Sequence, residues 1–127
     1  MEHSKHFTLE EASSLLIEIR ENMKTIVELK KDIDKLGLNI YRHHFFSGQE
    51  PNGVKYHSKE LELIAIIKDI AGKGVLVKGL DNGLIDFPSI RQNGEEVYLC
   101  WHLEEDNINY WHRIKDGFTG RRPIQEY

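Results

Sequence analysis

GLDNGLIDFPSIRQNGEEVYLCWHLEEDNINYWHRIKDGFTGRRPI, residues Gly79 to Ile124, decides the fold of this chain. Asp81-Asn82-Gly83 is a hairpin signal, because Asn-Gly tolerates the positive φ of a type I′ turn. It separates a strand predicted over Gly74 to Leu80 from a second over Leu84 to Phe87, which Pro88 stops. Asn93-Gly94 marks the next turn, and Glu96 to His102 reads as a third strand. Asp106 or Asn107 can cap a short helix running through His112, and an ordered tail follows from Gly117. These signals describe a small antiparallel three-stranded meander, a short helix and a tail.

Upstream the period changes from two to about 3.6. Thr8 followed by Glu11 matches a capping box, and Phe7 can staple against Ala12. Leu15, Leu16, Ile19, Met23, Ile26, Val27, Ile33 and Leu36 then recur mostly at spacings of three, four or seven, leaving the other face charged. Gly37 costs about 1 kcal/mol in a helix without by itself ending one, and Ile40, Tyr41 and Phe45 carry the pattern to about Phe46. The turn formers of SGQEPNG, residues 47–53, break it. A second helix fits Ser58 to Ala71, with Leu61, Leu63, Ile64, Ile66, Ile67 and Ile70 as its apolar stripe and Gly72 and Gly74 as its exit. The fold class is therefore α+β. A long antiparallel helical hairpin over 8–72 precedes a β-rich module over 73–127, in a single domain spanning 1–127. The first helix exceeds about 40 Å at its predicted length, and the second is about half as long. The rest of its stripe then needs cover from the β-rich module and from a second copy of the chain, so a homodimer joined through helices is expected.

Bulk properties exclude some classes. A chain of 127 residues is one domain by length. The formal charge of −4 argues against nucleic acid, and Lys24, Lys30, Lys31 and Lys35 are offset by nearby acids. One cysteine excludes an internal disulfide and fits a reducing compartment. No apolar run approaches the roughly 20 residues that span a bilayer, and MEHSKHFTLEE lacks the apolar core of a signal peptide. A cytoplasmic protein without membrane partners is expected.

The segments DNGLIDFP, VYLCW, WH and GFTGRRP, in that order and spacing, resemble an uncharacterised prokaryotic family known as domain of unknown function 2203. The resemblance covers almost the whole chain, with a helical first half and this cassette after it. Glu104 and Glu105 stand where the family usually has Gly then Glu, and Leu38 to Tyr56 is longer and richer in His. The resemblance implies a fold and a compact signature, and it carries no established activity.

The chemistry of the cassette has several readings. Strand alternation places Val97, Leu99 and Trp101 on one face and Tyr98, Cys100 and His102 on the other. Packing the first set on the helices leaves Asp86, Tyr98, Cys100 and His102 on an outer face, which the short helix bearing Trp111 and His112 can cover. Asp86, Cys100, His102 and His112 are chemically suited to a divalent metal, since thiolate, imidazole and carboxylate all bind zinc. The plainer reading, favoured on sequence, makes Cys100 a small buried hydrophobe and His112 a cap or hydrogen-bonding partner of a turn. As a nucleophile Cys100 would need His112 as its base. The glycines of GFTGRRP expose backbone N–H groups beside Arg121 and Arg122, and Arg91 can join them to bind a small anion. The plainer reading pairs one Arg with Asp86 or Glu105. A grouping of His43, His44 and His57 at the hairpin tip is an opportunistic metal site.

Two functions follow. The first is a homodimeric binding or interaction module for a small anion or peptide, with Arg121, Arg122 and the Gly117–Gly120 loop donating and Asp86, Glu105 and His112 orienting them. The alternative is a metal-assisted hydrolase using Asp86, Cys100 and His112, with Glu105 as base.

Overall fold

The computed structural model describes residues 1–43 and 55–127. Helix α1, Leu9–Lys35, starts at the reciprocal cap that the sequence specifies. The Glu11 amide donates to Thr8 Oγ1 at 3.0 Å, and the Thr8 amide donates to the Glu11 carboxylate at 2.9 Å. The helix ends before Phe46. Gly37 adopts a φ of 76°, its N–H bonds the Asp34 carbonyl, and the Leu38 N–H bonds the Ile33 carbonyl. This crossed pair satisfies two of the last carbonyls, and glycine takes the left-handed turn without a Cβ penalty. A 3₁₀ turn, Ile40–His43, follows, and the predicted break at 47–53 lies outside the described residues.

Helix α2, Ser58–Gly72, is capped by His57, whose Nδ1 accepts from the Lys59 amide at 3.1 Å. The two helices run antiparallel. Lys59 at the start of α2 pairs with Asp32 near the end of α1 at 3.1 Å, while Lys73 after α2 shares a groove with Glu10, Glu11 and Ser14 of α1.

Five strands follow where three were predicted: β1 Leu76–Gly79, β2 Leu84–Ile90, β3 Glu96–Trp101, β4 Tyr110–Arg113 and β5 Arg122–Pro123. They form one antiparallel sheet in sequence order. The predicted short helix through His112 is instead β4, whose Tyr110 to Arg113 pair with Cys100 to Val97. Aromatic side chains suit a pleated surface, and the register that pairs them with β3 prevails over a local cap. Nor does Pro88 end β2. The last pair between β1 and β2 is Leu76 with Asp86, so beyond Asp86 that side of β2 is an edge, where a missing N–H costs nothing. The Pro88 carbonyl instead accepts from the Phe7 amide at 2.7 Å.

Ile85, Phe87, Val97, Leu99, Trp101 and Trp111 point to the helices and share one core with Ile19, Met23 and Ile26 of α1. The stripe of α1 is therefore covered by the sheet, and its burial does not call for a second copy. Among the described residues no helix is long and apolar enough to cross a membrane.

Candidate functional site

The opposite face of the sheet carries the polar groups. Register sets Asp86 of β2 opposite Cys100 of β3, and His112 of β4 opposite Tyr98 of β3. Paired residues share a face, so Asp86, Tyr98, Cys100 and His112 all project outward from the helices. Asp86 and His112 meet across β3, with Oδ1 and Nε2 3.1 Å apart. The ligating atoms of Asp86, Cys100 and His112 all lie within 4.8 Å of one another. Their residues are only 3%, 0% and 4% exposed, which encloses the cluster.

The protons on His112 follow from its neighbours. Nδ1 stands 2.9 Å from the Arg113 carbonyl, which can only accept, so Nδ1 carries a proton. Nε2 then faces the Asp86 carboxylate either as the second N–H of an imidazolium or as a lone pair for a cation. Burial works against the charged imidazole, but the hydrogen bond and charge of Asp86 outweigh it, and His112 holds its proton above the usual histidine range. Burial is also the main cause that pushes the Cys100 thiol up, with Asp86 adding to it and Arg121 opposing it. Cys100 is thus a protonated thiol at neutral pH, unsuited to attack by itself.

His102, expected among the metal ligands, stands apart from this cluster. It lies past the end of β3, where the strand period no longer applies. Its Nε2 is 3.7 Å from Glu105 and its ring 5.9 Å from Phe118. Nor do the three arginines converge. Arg121 binds both Glu105 oxygens, at 2.6 and 2.7 Å, and lies 4.0 Å from the Tyr110 ring and 4.8 Å from the Phe118 ring. Arg91 bonds Glu95 at 2.9 Å and the carbonyls of Glu126 and Tyr127 at 3.0 and 3.1 Å, clamping the tail. Arg122 lies 5.5 Å from the Trp111 ring. Two guanidinium groups are thus neutralised within the chain, and Glu105 orients Arg121. Of the hairpin-tip grouping, His44 lies outside the described residues, while His57 serves as a helix cap.

Sequence reasoning missed the opening segment, which is docked on the outer face. Glu96 accepts from the amides of Glu2 and His3 at 2.8 and 3.0 Å and from His6 Nε2 at 2.7 Å. The hydrogen bond from His6 leads these in holding its carboxyl down to about 2. His3 Nε2 meets the Tyr98 hydroxyl at 2.5 Å, and the Tyr98 ring lies 5.3 Å from that of His112. Burial, with nearby acids, pushes Tyr98 up to about 12. These contacts span ninety or more residues of chain, so no local pattern announces them.

An antiparallel helix pair backing a five-stranded meander, with a buried Asp–Cys–His cluster on the far face, defines the class. The chain belongs to a family of uncharacterised conserved proteins, DUF2203, whose model matches residues 5–124. Neither a curated protein nor a solved structure matches it.

Proposed function

We propose that this chain is a metal-binding protein that holds one divalent transition ion of the zinc kind through Asp86, Cys100 and His112. The observation that carries the reading is the gathering of three chemically different donors within 4.8 Å, in an enclosed place, from three strands. Carboxylate, thiolate and imidazole together favour a borderline-soft ion over magnesium or calcium. The arrangement of His112 supports it further, because a ligating histidine commonly donates its other ring N–H to a carbonyl, as Nδ1 does to Arg113 here. Donors around a tetrahedral zinc stand about 3.3–3.8 Å apart, so an ion would draw the widest pair inward by about 1 Å.

Burial of all three ligands favours a structural ion over a hydrolytic one, since a hydrolase needs an open position for water and substrate. Binding would displace the Cys100 thiol proton and the His112 Nε2 proton and separate Asp86 from His112. The test is metal content by plasma mass spectrometry on untagged protein, with zinc titration of chelator-treated samples. About one ion per chain is expected, lost in Cys100→Ser and His112→Ala. Failure of the wild-type protein to take up zinc would overturn the reading and leave the cluster a buried ion pair.

A further inference from the structure

We infer that the segment Asp116 to Arg121 is a lid over the Asp86–Cys100–His112 cluster and that the Arg121–Glu105 pair is its latch. This deepens the metal reading, on which the purpose of the lid rests.

The lid borders two of the three candidate ligands. The Asp116 amide donates to the Arg113 carbonyl at 3.0 Å, the carbonyl that also faces His112 Nδ1, and Arg121 Nη2 reaches the Cys100 carbonyl at 3.5 Å. The segment closes on itself between these points. The Gly120 amide bonds the Gly117 carbonyl at 2.9 Å, and a Cβ on Gly120 would stand 2.6 Å from Asp116 Cβ. Gly120 is therefore needed for the backbone to fold this tightly against Asp116.

The latch is what distinguishes this cover from the rest of the face. Residues 116–121 contribute nothing to the apolar core, and Phe118 is 45% exposed. A segment with few buried apolar contacts opens locally at low cost. Beyond it, Arg91 holds the tail, and the Trp111 indole N–H bonds the Pro123 carbonyl at 3.1 Å. Between these anchors the segment is tied down by Arg121, through Glu105 and the rings of Tyr110 and Phe118. Releasing Arg121 would uncover Cys100 and His112 without disturbing the strands that present them.

Cys100 is the only cysteine in the chain, so a neutral disulfide reagent such as 4,4′-dithiodipyridine reports access to the cluster alone. The experiment labels chelator-treated wild-type protein, Arg121→Gln and Gly120→Ala over a range of low urea concentrations, each with and without prior zinc. Arg121→Gln should label about tenfold faster than wild type, the factor expected for loss of one charge-assisted hydrogen bond, and Gly120→Ala should also label faster, because its Cβ would crowd Asp116. Their rates should depend only weakly on urea, as local opening does. Removing the guanidinium disfavours the thiolate, so faster labelling of Arg121→Gln reads access and not thiol activation. Gly120→Ala changes no charge and checks the same point. Wild-type rates in both variants, or a urea dependence as steep as that of global unfolding, would overturn the lid. Faster labelling of the variants with no protection by zinc would keep the lid and remove the metal reading. Protection by zinc with unchanged rates would do the reverse.

Discussion

The pair formed by Asp86 and His112 should show strong non-additivity when dismantled. The two residues are 3% and 4% exposed and meet at 3.1 Å. Replacing His112 by Leu leaves the Asp86 carboxylate enclosed beside the Cys100 thiol without its imidazole partner. Removing one partner of a buried pair costs about 3–5 kcal/mol, because the other charge stays in an apolar place without compensation. Asp86→Val should cost less, since an unpaired imidazole can release its Nε2 proton and keep its Nδ1 bond to the Arg113 carbonyl. The double variant exchanges both groups for apolar ones on a strand surface, which is often neutral or stabilising. It should therefore be more stable than His112→Leu alone. The assay is urea unfolding at pH 7 with a chelator present. At a slope of about 1.5 kcal/mol per molar, a loss of 3 kcal/mol moves the midpoint by about 2 M. A coupling energy below about 0.5 kcal/mol, the value expected of independent sites, would refute the argument that the pair is electrostatically self-contained.

Two further outcomes concern the opening segment and the end of α1. Glu96 has its carboxyl lowered from 4.5 to about 2 by His6 and the amides of Glu2 and His3. A depressed carboxyl contributes stability above pH 4.5 that is lost as pH falls toward 2, so amides of residues 2–7 should lose exchange protection in that window. Glu96→Gln should reproduce the loss at neutral pH, and a fully protected segment in that variant would contradict the account. Gly37→Ala places a Cβ where nothing lies within 4 Å, yet at a φ of 76°. It should cost about 1 kcal/mol in urea unfolding through backbone conformation alone, and a neutral result would remove Gly37 as the determinant of the helix end.

Much of the fold is legible in local chemistry. Thr8 and Glu11 announce the start of α1, and Asn82-Gly83 the first hairpin. Strand alternation puts Asp86 and Cys100 on the outer face, where they lie. The errors occur where pairing overrides a local signal. Asp106 and Asn107 resemble helix caps, but residues 110–113 meet a waiting strand and become β4. Ile40 and Tyr41 extend the helical period, but the left-handed turn at Gly37 has already satisfied the carbonyls. His102 carries the strand period one residue past the last pair of β3. Of the two acids offered as partner to an Arg of GFTGRRP, Glu105 takes Arg121, but the choice between them and the partners of Arg91 could not be read. They depend on which loop returns to which strand end, a three-dimensional fact without a one-dimensional signature.

The sheet that covers α1 has a consequence for how the chain is made. Ile19 and Met23 leave the ribosome long before Leu99, Trp101 and Trp111, the residues that share their core. At about 5–20 residues per second, the apolar side of the first helix is synthesised several seconds before its cover. Residues 2–7 wait as long for Glu96 and Tyr98. A segment made early is thus among the last to find its place. Through that interval the nascent chain presents an amphipathic helix to whatever chaperone or neighbouring chain meets it.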